Sequence, residues 1–157
     1  MLALPLPLSF LTFKVMNNPL KILVVDNDVS MQEVFSDCLR SEGYDTTCVG
    51  SGAEAIAKLR SSQFDIVFLD TLMPEMNGVE TYRVIKNNGI DTTVVMMTAY
   101  AYSELIDQAK NLGVQLIILK PFDFSQIIRF LKEFVASNGL NSATIDRLRA
   151  ALDYRTA

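Results

Sequence analysis

Residues 64–78 read FDIVFLDTLMPEMNG. Phe64, Ile66, Val67, Phe68 and Leu69 form an almost unbroken apolar run that ends on one acid, Asp70. A run of that length and type predicts a strand buried on both faces, as in a parallel sheet. Pro74 and the Asn77-Gly78 pair then break the chain into a loop ahead of the next helix. Asp70 is therefore expected at the carboxyl end of a central strand, the edge at which open α/β sheets bind their ligands. A lone Asp in that place more often just ends its strand, so the rest of the chain has to decide.

Outward from this stretch the pattern repeats. On the amino-terminal side, residues 21–25 (KILVV) are a short apolar strand running into Asp26, Asn27 and Asp28. Residues 30–42 carry Met31, Val34, Phe35, Cys38 and Leu39 at helical spacing, and Gly43 ends that helix. The mixed polarity of residues 44–49 suits an edge strand, and a short helix over 53–60 leads back to the central strand. On the other side the expected order is helix 79–88, strand 93–97, helix 103–112, strand 114–119 and helix 123–136. The inner stripe of that last helix is Phe124, Ile127, Ile128, Leu131 and Val135. Five strands alternating with five helices predict an α/β fold: a five-stranded parallel sheet, right-handed crossovers and helices on both faces. The edge-like second strand gives the order 2-1-3-4-5, with the topological switch between strands one and three.

Length and composition restrict the chemistry. At 157 residues the chain is expected to hold one domain over 19–137. Residues 1–18 are apolar but interrupted by prolines, with Lys14 on the wrong side for a signal peptide. They are expected to be a disordered or loosely packed extension, with Met16 as a possible natural start and a membrane-associating tail as the alternative. Residues 138–157 are expected to be a short helical tail with no effector domain. Its helix begins at Asn141 or Ser142, carries Ile145, Leu148 and Leu152 on one face, and presents Arg147, Arg149 and Arg155 as a solvated face. A net charge of −4 argues against a whole-chain nucleic-acid footprint, so direct nucleic-acid binding is not expected. The absence of histidine excludes histidine triads, histidine metal sites and any phosphohistidine on this chain. Cys38 and Cys48 lack metal-like spacing and read as filler in a reducing, cytoplasmic compartment.

The strand ends carry the chemistry. They are Asp26, Asn27 and Asp28 after the first strand, Asp70 after the third, Thr98 after the fourth and Lys120 after the fifth. A parallel sheet puts all of them on one edge. Carboxylates without histidine or thiolate favour a hard cation with oxygen ligands, so Mg2+ is the natural choice. Asp70 would then serve as a nucleophile toward phosphorus, with Lys120 and Thr98 meeting the phosphoryl oxygens. Taken singly, Lys120 is also a plausible surface lysine, and Thr98 a plausible helix N-cap.

On the motifs ILVVDND (22–28), FLDTLMPEMNG (68–78), MTA (97–99) and KPF (120–122), residues 20–136 resemble the receiver domains of two-component response regulators. The finer likeness is to single-domain receivers such as a sporulation phosphorelay intermediate. The resemblance implies a flavodoxin-like receiver fold with Asp70 as the acceptor of a phosphoryl group. The donor would be a phosphohistidine on a sensor histidine kinase or a histidine phosphotransfer protein. It further implies Mg2+ held by Asp26, Asn27, Asp70 and the Leu72 backbone carbonyl, with Thr98 and Lys120 on the phosphoryl group. The chain would catalyse its own phosphorylation and dephosphorylation and signal by protein contact or onward phosphotransfer. The Lys120-Pro121 bond is expected to be cis. Two departures stand out. Asn27 replaces the second of two adjacent acids, and Ile117 occupies the switch position where the family commonly has Tyr or Phe. They motivate the alternative of a degenerate receiver that binds partners without phosphorylation. A phosphohydrolase of the haloacid-dehalogenase type needs a second acid where this chain has Leu72. A flavin protein would not place acids after the first strand.

Overall fold

The computed structural model describes residues 19–151. Expectations for residues 1–18, Leu152 and Arg155 lie outside them.

The strands are β1 (Lys21–Val25), β2 (Asp45–Val49), β3 (Ile66–Asp70), β4 (Thr93–Thr98) and β5 (Leu116–Leu119). The helices between and after them are α1 (Val29–Ser41), α2 (Gly52–Ser61), α3 (Gly78–Asn87), α4 (Glu104–Asn111), α5 (Phe124–Ala136) and α6 (Ser142–Ala151). All strand pairs are parallel, and the sheet order is β2-β1-β3-β4-β5, as the edge-like second strand predicts. Among the described residues no helix is long and apolar enough to cross a membrane.

Strand alternation divides the apolar side chains between two layers. Ile22, Val24, Ile66, Phe68, Val95, Met97, Leu116 and Ile118 face Phe35 and Leu39 of α1 and Ile127, Phe130 and Leu131 of α5. Leu23, Val25, Val67, Leu69, Val94, Met96 and Ile117 share the other layer with Ala55 and Leu59 of α2, Val79 and Ile85 of α3 and Ile106 and Ala109 of α4. In the first layer the Phe35 ring meets Phe68 at a tilt and Phe122 and Phe124 edge to face, at centroid distances of 5.3, 5.6 and 4.9 Å. Phe122 is thus anchored two residues beyond Lys120, which fixes the exit of β5.

Several boundaries and contacts differ from the sequence pattern. Val34 shares the helical spacing of Phe35 yet is 50% exposed on α1; its neighbours at 33 and 37 are also exposed, so the apolar stripe is narrower than expected. β3 begins at Ile66 because Asp65 accepts the Lys21 N–H at 2.8 Å and closes the start of the sheet. The α5 interior also contains Phe130 and Phe134, which the expected stripe omits. Arg147 is solvent-exposed, as expected, and also pairs with Glu133 at 3.5 Å. Arg149 reaches the Gln115 carbonyl at 3.2 Å, so α6 folds back on the body of the domain.

Candidate functional site

Three side chains at the carboxyl edge converge. Residues 22, 24 and 26 alternate onto one face of β1, as do 66, 68 and 70 on β3 and 116, 118 and 120 on β5. Period-two alternation therefore aims Asp26, Asp70 and Lys120 the same way. The Lys120 ammonium lies 2.8 Å from Asp26 Oδ2 and 3.4 Å from Asp70 Oδ2. Asp26 is 1% exposed, and its Oδ1 accepts the Asp28 N–H at 2.9 Å. Asp70 Oδ1 accepts the Leu72 N–H at 3.4 Å. Main-chain bonds hold the three strand ends in place: Asp26 N–H to Val49, Thr71 N–H to Met97 and Lys120 N–H to Thr98, at 3.2, 3.0 and 2.7 Å. The Lys120-Pro121 peptide is cis, as expected.

The electrostatics follow from this packing. Burial raises the Asp70 pKa, and the Asp26 charge raises it further. Lys120 and the Leu72 N–H pull in the opposite direction. The net direction is upward, so the Asp70 carboxylate is more basic than a surface carboxylate.

Thr98 lies one strand away with the opposite parity, sharing its face with Met96. Its hydroxyl accepts the Tyr100 N–H at 3.1 Å and donates to the Tyr100 carbonyl at 3.3 Å. It is not a helix N-cap; Ser103 caps α4 instead, accepting the Ile106 N–H. Ile117 is 4% exposed, packed in the layer that holds Met96 and Ile106 beneath Thr98. Asn27 is exposed at the rim, and Leu72 turns its side chain outward. Asp28, whose aim the sequence leaves open, caps α1 by accepting the Ser30 and Met31 N–H groups.

Among the described residues no three His, Cys, Asp or Glu side chains gather as a metal cluster. The donors present still fit Mg2+. That ion is held by one or two carboxylates, with backbone oxygen, water and phosphate completing the octahedron. Asp26 and Asp70 are two such carboxylates, brought together by one ammonium.

Sequence reasoning missed Gln32, whose amide donates to the Asp26 carbonyl at 2.7 Å. It also missed the use of Gly78, which it read only as a loop breaker. The signal for Gly78 was present in the position of a glycine at the helix start, but the contact it serves is tertiary.

A sequence model described as "Response regulator receiver domain" matches residues 22–154. Among curated relatives, the transcriptional regulatory protein ZraR of Klebsiella oxytoca is 34% identical over 130 residues, covering 83% of this chain and 29% of that protein. The DNA-binding response regulator MtrA of Mycobacterium leprae is 35% identical over 109 residues, covering 69% of this chain and 48% of that one. The chain thus spans less than half the length of these relatives. Among solved structures, the chemotaxis response regulator CheY4 of Vibrio cholerae matches with a TM-score of 0.67 and 28% identity, over 73% of this chain and 97% of its own. A CheY-like receiver domain from Methanospirillum hungatei JF-1 matches with a TM-score of 0.70 and 25% identity, over 75% and 94%.

Proposed function

The chain belongs to the response regulator receiver domain family of two-component systems, and from that premise we propose that Asp70 accepts a phosphoryl group from a phosphohistidine partner. The observation that carries this reading is the convergence of Asp26, Asp70 and Lys120 on one site at the carboxyl edge of the sheet.

In the proposed step an Asp70 oxygen attacks phosphorus as the bond from phosphorus to the imidazole nitrogen breaks. The imidazole leaves with that electron pair, and Asp70 becomes an acyl phosphate. The donor is a sensor histidine kinase or a histidine phosphotransfer protein. Asp26, Asp70 and the Leu72 carbonyl would hold Mg2+, with Asn27 offering a weaker amide oxygen. When bound, the ion supplies charge neutralisation for the phosphoryl oxygens. Lys120 already stands beside both carboxylates and turns toward the incoming oxygens. Thr98 reaches them by giving up its bonds to Tyr100. Output then passes by protein contact or onward phosphotransfer, as a population shift between two states.

A binding-only receiver is the second reading. Asn27 removes one negative charge from the rim, and Ile117 is fixed in the core, which favours a site uncoupled from its surface.

Intact mass after acetyl phosphate treatment, with and without Mg2+, tests both. The wild type is expected to gain one phosphoryl group only with Mg2+, and Asp70→Asn none. Gain in Asp70→Asn removes Asp70 as the acceptor; no gain in the wild type, from acetyl phosphate or from a histidine kinase, leaves the binding-only reading.

A further inference from the structure

Gly78 opens α3, and its Cα rests on the main chain of Asp70. A Cβ there would stand 2.2 Å from the Asp70 carbonyl oxygen, 2.9 Å from its carbonyl carbon and 2.9 Å from the Thr71 Cα. All three are backbone atoms, so no side-chain rotation relieves the overlap. One of the two chain segments has to move.

Both segments are held by their surroundings. α3 is anchored by Val79, Thr81 and Ile85, all buried. Its start is tied by a reciprocal capping box between Asn77 and Glu80, at 2.8 and 2.9 Å. The Thr81 hydroxyl donates to the Asn77 carbonyl at 2.8 Å. The Gly78 N–H donates to the Thr71 carbonyl at 3.0 Å, so the loop from Thr71 to Asn77 is closed where its two ends touch. The Asp70–Thr71 link is tied in turn to β4 by the Thr71 N–H to the Met97 carbonyl at 3.0 Å, so the two segments share the displacement, and the part taken by this link moves the acceptor. That link carries the Asp70 carboxylate on one side and leads to Leu72 on the other.

We propose that Gly78 is a positioning residue for the chemistry at Asp70: the side chain it lacks sets where the Asp70 carboxylate and the Leu72 carbonyl stand relative to Asp26 and Lys120. The inference rests on the reading of Asp70 as phosphoryl acceptor. Reacting groups tolerate little misplacement, and a shift of about 1 Å costs on the order of 100-fold in rate.

Gly52 supplies the control. A Cβ there would meet Thr81 Oγ1 at 2.2 Å and Met76 Sδ and Cγ at 3.0 and 3.1 Å. These are side-chain atoms of α3 and the loop, with none from Asp70. Gly52→Ala therefore presses on the Thr81 anchor of α3 and on Met76 and makes no direct contact with the Asp70 main chain.

The experiment compares the full-length wild type, Gly78→Ala and Gly52→Ala. It reads thermal melting, Mg2+ affinity by calorimetry, and labelling rate against acetyl phosphate concentration. Gly78→Ala is expected to weaken Mg2+ binding about 10-fold and to lower the saturating labelling rate on the order of 100-fold, while Gly52→Ala melts earlier with both quantities within about 2-fold of wild type. A folded Gly78→Ala chain with wild-type Mg2+ affinity and labelling overturns the proposal, as does an equal loss in Gly52→Ala. If Gly78→Ala unfolds in buffer, the measurements are made in trimethylamine oxide, which favours the folded chain. Failure to fold there also counts against the proposal, because Gly78 would then be a requirement of the fold and not of the site. A wild type that binds Mg2+ but is never labelled removes the acceptor reading and this proposal with it. A labelled wild type with an unaffected Gly78→Ala removes the positioning role alone.

Discussion

The Lys120 ammonium sits 2.8 Å from Asp26, closer than the 3.4 Å that separates it from Asp70. It acts as the internal counter-ion of two buried carboxylates that otherwise repel each other. Lys120→Met keeps the length of the side chain and removes the charge. Breaking a buried ion pair in this way is expected to cost about 3 kcal/mol at neutral pH. If Mg2+ binds as proposed, it would replace the missing charge, and its stabilising effect should be larger in the variant than in the wild type. Urea unfolding of both proteins with and without Mg2+ checks this; equal stability without the metal would contradict the counter-ion role.

Asp70→Asn tests the other half of the same cluster. Burial first, and the Asp26 charge second, raise the Asp70 pKa above its ordinary value. A carboxyl with a raised folded pKa contributes stability below its unfolded pKa and loses that contribution as pH rises through the folded pKa. At neutral pH the ionised Asp70 is therefore a net cost to the fold. Asn removes the charge and can still accept the Leu72 N–H. The variant is expected to be more stable at neutral pH and to melt higher than the wild type. The gain should shrink as the pH falls below the folded pKa of Asp70, because the wild type then also becomes neutral there. Melting curves across that range carry the test, and a gain independent of pH would argue against the electrostatic cause.

Thr98 spends its hydroxyl on both polar groups of the Tyr100 main chain. Tyr100 and Tyr102 are 59% and 73% exposed in the loop this turn closes. Thr98→Val keeps the shape and removes both bonds, so it is expected to cost about 1–2 kcal/mol. The Tyr100 amide should exchange roughly 10-fold faster as the loop opens locally. Thr98→Ser keeps the hydroxyl and should retain slow exchange. Unchanged exchange in Thr98→Val would show that the turn is held by something other than the hydroxyl.

The alternation of strands and helices, the sheet order and the edge that carries Asp26, Asp70, Thr98 and Lys120 were legible because each is a matter of period and order along the chain. Parity, by which residues an even number apart on a strand share a face, separates Thr98 from Asp26, Asp70 and Lys120, and the reading of the strand ends did not use it. What the sequence hides are contacts whose partners lie far away in the chain or whose alternatives are local. Asp28 and Thr98 both have short polar side chains near a turn. Asp28 caps α1 while Thr98 binds its own loop, and spacing alone does not separate those choices. Val34 and Phe35 both fit the helical stripe, and only the packing of Phe35 on Phe68, Phe122 and Phe124 shows which one the core takes. Gly78 reads as a breaker, yet its need is for space against Asp70.

Glu75 holds a backbone conformation that suits a different residue. Its φ is +66°, in the left-handed region, where a Cβ crowds the following carbonyl. The Met76 N–H donates to the Pro74 carbonyl at 2.8 Å and closes a tight turn about it. The Glu75 side chain is exposed, so its removal leaves no cavity. Glu75→Gly relieves the strain but adds freedom to the unfolded chain, and these effects oppose each other. Relief of about 1–2 kcal/mol against an entropic cost of about 0.5–1 kcal/mol leaves a net stabilisation of about 0–1.5 kcal/mol. Arg83, exposed on α3, gives the contrast. Arg83→Gly keeps no strain to relieve and should cost about 1 kcal/mol. Denaturant midpoints of the two variants should therefore move in opposite directions from the wild type. A lowered midpoint for Glu75→Gly would mean that the strain at φ +66° is smaller than the freedom glycine adds to the unfolded chain.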